Sequence, residues 1–177
     1  MENREDVMID IETLGTSFDS VMLSCSLVKF DIDTGEISDE LTVYFDLQQS
    51  IDKGFKINAG TLQWWLTQNS DVFAKQFKDE MAHDSLYAIQ RFINEDAKVW
   101  GNSASFDLGI LGNYFKEYEI HQPWKFWNEM CVRTVCNINP SAKMNTEFVG
   151  EKHNPIDDCK HQIKYLVKTL KTFDNGK

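Results

Sequence analysis

Apolar positions in the first quarter of the chain fall in short runs with the β-branching and alternation of strands. Val7 to Ile11 reads as a first strand, Val21 to Phe30 as a second and Leu41 to Phe45 as a third. Asp31 to Glu36, with Gly35, supplies turn chemistry between the last two. Asp31 and Asp33 also suggest a calcium loop. Gly35, however, stands where such a loop needs an oxygen ligand, and Thr42 where it needs the closing Glu, so a hairpin turn is expected. Gln48 to Ala59 reads as a loop. The pattern beyond it is mainly helical. Thr61 to Gln68 and Ser70 to Lys78 predict short helices. Ser85 to Asn94 carries Leu86, Ile89, Phe92 and Ile93 at helical spacing, and Ser105 to Tyr118 reads the same way. Pro155 to Thr172 is the clearest helix, with Ile156, Cys159, Ile163, Leu166, Val167 and Leu170 on one stripe. Lys98 to Gly101 and Trp124 to Met130 predict short strands between helices. Three strands in hairpin order, then alternating helices and strands, predict an α/β domain whose mixed sheet is flanked by α-helices.

A length of 177 residues suits one domain, taken as 1–177, with 42% hydrophobic and 26% charged residues excluding wholesale disorder. No apolar run approaches the ~20 residues of a membrane span, so no membrane partner is expected. The first residues lack a secretory pattern. Cys25, Cys131, Cys136 and Cys159 form no Cys-x-x-Cys pair. A reducing, cytoplasmic location is the expectation. The net charge of −10 argues against indiscriminate binding to polyanions. It does not exclude a polyanionic substrate, because acids clustered around divalent cations invert the local field.

The acids do recur where packing would not want them. Asp10 and Glu12 alternate along the first strand and so share a face. Two such charges repel unless a cation lies between them, although a solvated strand end also tolerates them. Asp107 opens a helix on the face of Ile110, Leu111 and Tyr114, where a dipole-stabilising surface role competes with a functional one. His153 lies on a loop before the final helix, which Asn154 and Pro155 would start. Asp157 and Asp158 lie in that helix's first turn. Oxygen-only ligand sets select hard cations such as Mg²⁺ or Mn²⁺. Two such ions ~3.5–4 Å apart suit in-line phosphoryl displacement, and a His can take the proton of attacking water.

At these residues the sequence resembles the DEDDh 3′→5′ exonucleases. Asp10-Ile-Glu12-Thr13 matches that family's first motif, Phe106-Asp107 its second, and His153 with Asp158 its third, in order along the chain. Asp10 to Gly15, Thr61 to Gln68 with its Trp64-Trp65 pair, Trp100 to Asp107, and Arg133-Thr134 resemble the phage exonuclease A group and its bacterial 3′→5′ exoribonuclease relatives. Pro155 and Leu108 depart from that pattern, where Ala and Asn are frequent. The resemblance implies an RNase H-like fold whose first three strands are antiparallel and whose later strands are parallel. It implies that Asp10, Glu12, Asp107 and Asp158 hold two divalent metals, Mg²⁺ or Mn²⁺, and that His153 is the general base. Asp158 is chosen over Asp157 on spacing. The implied partner is the 3′ end of single-stranded DNA or RNA, shortened to nucleoside 5′-monophosphates, and a homodimer is a further expectation.

A terminal base can be gripped without being identified by stacking on aromatic rings. Thr13, Leu14, Trp64 and Phe106 are the candidates, with Leu14 as a wedge. Neighbouring Trp64 and Trp65 cannot share a helix face, so one is expected outside and one inside. Trp124 to Trp127 is expected in the core. The alternative readings are a catalytically silent RNase H-like module that binds nucleic acid or a partner, and a proofreading subunit of a polymerase.

Overall fold

The computed structural model describes residues 5–174 apart from residue 79. Five strands form one sheet in the order β3-β2-β1-β4-β5. They are β1 (Asp6–Thr13), β2 (Met22–Phe30), β3 (Ile37–Tyr44), β4 (Lys98–Gly101) and β5 (Glu129–Cys131). β1, β2 and β3 are antiparallel neighbours, whereas β4 runs parallel to β1 and β5 parallel to β4. The mixed sheet follows the expected arrangement. The Asp31–Glu36 segment is the hairpin turn: the Asp31 carboxylate accepts from Thr34 N–H and Oγ1, and Gly35 takes a φ of 82°.

Eight helices surround the sheet among the described residues. They are α1 (Leu47–Asp52), α2 (Ala59–Trp65), α3 (Ser70–Lys75), α4 (Ala82–Phe92), α5 (Ala104–Glu117), α6 (Val132–Ile138), α7 (Ser141–Met144) and α8 (Pro155–Asp174). Alternation along β1 divides the core. Val7, Ile9 and Ile11 join Leu86 and Ile89 of α4 and Leu108, Leu111 and Phe115 of α5 on one face. Met8 joins Cys159, Ile163 and Leu166 of α8 on the other. Asp10 and Glu12 share Met8's parity, so β1 aims them at the face that α8 covers. No described helix is long and apolar enough to cross a membrane.

Three expectations need correcting. The segment read as a loop from Gln48 contains α1, which Asp46 caps by accepting from Gln49 N–H. Its single turn and a half is too polar to show a helical stripe. Trp124 to Met130 is not one strand. A 3₁₀ turn at Phe126–Asn128 precedes a three-residue β5, and only Trp124 of the aromatic cluster is core, with Phe126 74% and Trp127 63% exposed. β3 begins at Ile37 rather than Leu41, because an edge strand needs no apolar run where its residues face water.

Candidate active site

Three elements converge at the C-terminal end of β1. Asp10, Glu12, Asp107, His153 and Asp158 line one cleft of about 290 Å³, together with Asn102, Ser103, Phe106, Arg133 and Gln162. Asp10 and Glu12 arrive from β1, whose partners across β2 are the small residues Ser26 and Ser24. Asp107 arrives from the first turn of α5, where Ser103 N–H donates to its Oδ2 at 3.0 Å. It packs on Gly101 at the end of β4: a Cβ there would stand 3.0 Å from both the Cβ and Oδ2 of Asp107.

Asp157 and Asp158 part company at the start of α8. Asp157 accepts from Glu151 N–H at 2.9 Å and pins the preceding loop. Asp158 lines the cleft and accepts from His153 N–H at 2.9 Å. His153 has a φ of 66°, a left-handed conformation that needs support from its surroundings. Support comes from Asp158 on its N–H and from Gln76, whose amide donates to its carbonyl at 3.1 Å. Its ring lies edge-on to Trp64 and Trp65 at centroid separations of 5.0 and 6.0 Å.

Burial above all, and neighbouring charge at Asp10 and Glu12, raises the pKa of these carboxyls. Burial, then the Asp107 and Asp158 charges, hold Asp10 well above the usual carboxylate range, opposed by a hydrogen bond from Gln162. Burial and the charges of Asp10, Asp158 and Asp107 do the same to Glu12. Burial pushes Asp107 up to about 6 and raises Asp158, the latter against the His153 N–H. Oxygens of Glu12 and Asp158 and a ring nitrogen of His153 lie within 4.8 Å of one another. Carboxylates this close repel one another when ionised, and an oxygen-rich donor set of this kind could hold hard divalent ions.

Beside this cleft opens a groove of about 520 Å³ lined by Glu12, Thr13, Gly15, Asn58, Thr61, Trp64, Trp65 and Phe106. Trp65 is the inward member of its pair. It is 1% exposed, stacks on Phe73 at 4.8 Å and donates from Nε1 to the Thr13 carbonyl at 2.9 Å. Trp64 is 42% exposed on the groove wall. Leu14 is not available as a wedge: it is 2% exposed and packed in the core beneath α2. Thr13 spends its hydroxyl on the Gly15 carbonyl at 2.6 Å.

Two side chains escaped the sequence reading. Gln162 donates from Nε2 to Asp10 Oδ1 at 2.7 Å, while its buried Oε1 has no partner. Its position four residues after Asp158, on the same helix face, was the available signal. Gln76 joins Ser24 of β2 to the His153 carbonyl, and only the fold brings those segments together.

The sequence model of the 3′-5′ exoribonuclease Rv2179c-like domain matches residues 5–170. The chain belongs to that family. An Rv2179c-like domain is an exonuclease, an enzyme that hydrolyses phosphodiester bonds. An exodeoxyribonuclease of Enterobacteria phage T4 is 26% identical, in an alignment that covers 94% of this chain and 89% of that protein. Among solved structures, the nuclease domain of 3′hExo, a DEDDh family member bound to rAMP, superposes with a TM-score of 0.65 at 12% identity, covering 97% of this chain and 94% of that one. E. coli exonuclease I, in its zinc-bound complex with single-stranded DNA, gives a TM-score of 0.68 at 15% identity. The match covers 98% of this Rv2179c-like chain but 43% of exonuclease I. The fold shared with both is the RNase H-like one of the DEDDh exonucleases.

Proposed function

We propose that the protein is a single-domain, metal-dependent 3′→5′ exonuclease that shortens single-stranded nucleic acid and releases nucleoside 5′-monophosphates. The observation that carries this reading is the meeting of Asp10, Glu12, Asp107, Asp158 and His153 in one cleft beside an aromatic groove. The four carboxylates would hold two divalent cations, Mg²⁺ or Mn²⁺. Bound there, the cations would offset the crowded negative charge, polarise the phosphodiester and stabilise the attacking and leaving oxygens.

The chain's own residues supply the rest. His153 stands at the cleft mouth with its ring held by Trp64 and Trp65, positioned to accept a proton from water as its oxygen attacks phosphorus. The bond from phosphorus to the 3′-oxygen of the penultimate nucleotide then breaks, and the terminal residue leaves with a 5′-phosphate. Arg133, on the cleft wall, offers a charge to the phosphate before attack. Trp64 and Phe106 present ring surface to the terminal base, and Thr13 lines the floor beneath it. Ring stacking accepts any base. The family description favours RNA, whereas the phage relative is named for DNA. Four free cysteines, three of them buried, suit a reducing cytoplasm.

A side-by-side digest of 5′-labelled single-stranded RNA and DNA in Mg²⁺ or Mn²⁺, against an Asp10→Ala control, tests this. A ladder shortening from the 3′ end, absent in the control, is expected, and the faster ladder names the sugar. No shortening of either polymer would leave the silent binding module as the better reading.

A further inference from the structure

The negative charge of this protein is unevenly spread. Residues 133–171 hold seven Lys and Arg against four Asp and Glu, a balance of +3, while the remainder carries −13. Much of that excess sits in exposed lysines of α7, α8 and the loop between them, the segment that also carries His153 and Asp158. Lys164 and Lys168 lie one turn apart on α8, and Lys168 Nζ reaches the Asn145 carbonyl beyond α7 at 3.0 Å. Lys143 of α7 lies over the Tyr165 ring at 5.2 Å. Lys152 immediately precedes His153 and is close enough to act on the Asp158 carboxyl. The three lysines 143, 152 and 164 surround His161, whose pKa is lowered by burial and then by Lys164, Lys143 and Lys152 in that order.

Six other lysines, one of them on α8 itself, are neutralised by ion pairs. Lys29, Lys56, Lys75, Lys116, Lys125 and Lys160 each have a carboxylate within ion-pair distance. Among the described residues, none of Lys143, Lys152, Lys164 and Lys168 forms such a pair. A protein with 28 acidic side chains has thus left four cations without ion pairs along α7, α8 and the loop between them, from Lys152 beside the cleft's His153 to Lys168, ten residues beyond Asp158. Mutual repulsion is relieved when a polyanion lies across them. Lys171, farther along α8, is close enough to Asp31 to help lower that carboxyl. From Asp158 to Lys168 the helix rises about 15 Å, room for a few nucleotides of extended strand.

We propose that the Lys143, Lys152, Lys164 and Lys168 surface is a track for the sugar-phosphate backbone of the strand whose 3′ end enters the cleft. Cleavage then depends on the terminal nucleotide held in the groove, and affinity for long substrates on the track. The track rests on the exonuclease reading for its orientation but not for its chemistry, which is phosphate recognition by exposed ammonium groups.

The test compares the wild type with the triple variant Lys143→Gln, Lys164→Gln, Lys168→Gln, none of which touches the cleft carboxylates. Turnover is measured on a dinucleotide and on a 20-nucleotide single strand. Binding of the 20-mer is followed separately by fluorescence anisotropy over a range of NaCl concentrations, with thermal melts as a check on folding. Dinucleotide turnover should stay within two-fold of wild type, while 20-mer affinity falls at least ten-fold at about 0.1 M salt. The log–log salt slope should flatten by about 2, at ~0.7 per lost phosphate contact on a single strand. An unchanged slope and affinity for the 20-mer would overturn the track. So would retained 20-mer binding with loss of binding to an acidic peptide, since the surface would then serve a protein partner. A wild type inactive on every polymer would count against the exonuclease reading, while the salt slope would still decide the track.

Discussion

Replacing Asp107 by Asn should stabilise the metal-free protein above neutral pH while abolishing turnover. Asp107 is 4% exposed. Burial moves its carboxyl from 3.8 up to about 6, even against the backbone N–H donors and the Arg133 charge that favour the ionised form. A carboxyl raised in this way binds its proton more tightly in the fold than in the unfolded chain. Its stabilising contribution is complete below about pH 4 and is lost as the pH rises through about 6. A rise of roughly two units corresponds to about 3 kcal/mol at ~1.36 kcal/mol per unit. Asn retains an oxygen for the Ser103 N–H, now 3.0 Å from Oδ2, and carries no charge. Urea melts of both proteins in chelator, from pH 4.5 to 8, isolate the group by difference. The variant should gain on the wild type from about 1 kcal/mol at pH 4.5 to about 3 kcal/mol at pH 8. Mg²⁺ at pH 8 should restore the wild type and leave the variant nearly unmoved. A variant no more stable than wild type at pH 8, or a gap that does not change with pH, would refute the idea that this cleft is held under electrostatic strain.

Gly101→Ala should cost about 1–3 kcal/mol by overpacking and lower turnover more than ten-fold, because the new Cβ would meet Asp107 at 3.0 Å; urea melts and steady-state kinetics check both. Gln162→Leu should leave the fold within about 1 kcal/mol of wild type, since it also removes the unpartnered Oε1. It should weaken Mg²⁺ binding by isothermal titration, because Asp10 loses the 2.7 Å donor that orients it. Trp65→Phe keeps a ring against Phe73 but strands the buried Thr13 carbonyl. It should destabilise by about 1–3 kcal/mol, read from denaturant midpoints. His153→Ala should lose most turnover yet bind a short oligonucleotide in Mg²⁺ as tightly as wild type; unchanged turnover would remove His153 as the base.

Much of this protein is written in local pattern. Period-two alternation determines that Asp10 and Glu12 share a face, and the core stripe of the last helix is visible from Ile156 to Leu170. Asp10, Glu12, Asp107, His153 and Asp158 each also fit a structural role, and it is their order and spacing as a set that resemble the DEDDh motifs. Elements too short to show a period escaped: α1, α6 and α7 have six, seven and four residues, and tertiary contacts rather than propensity hold such helices. Contacts across the chain belong to the fold alone. Gln162 meets Asp10 over 152 positions and Gln76 meets His153 over 77, and no local pattern encodes separations of that size. The same holds for Leu14, whose sequence neighbours face the groove while its own side chain turns into the core. Sequence determined the main strands and helices and the candidate side chains of the site. Only the folded chain decided which partner orients each of them, because hydrogen bonds and burial depend on distances in space and not along the backbone.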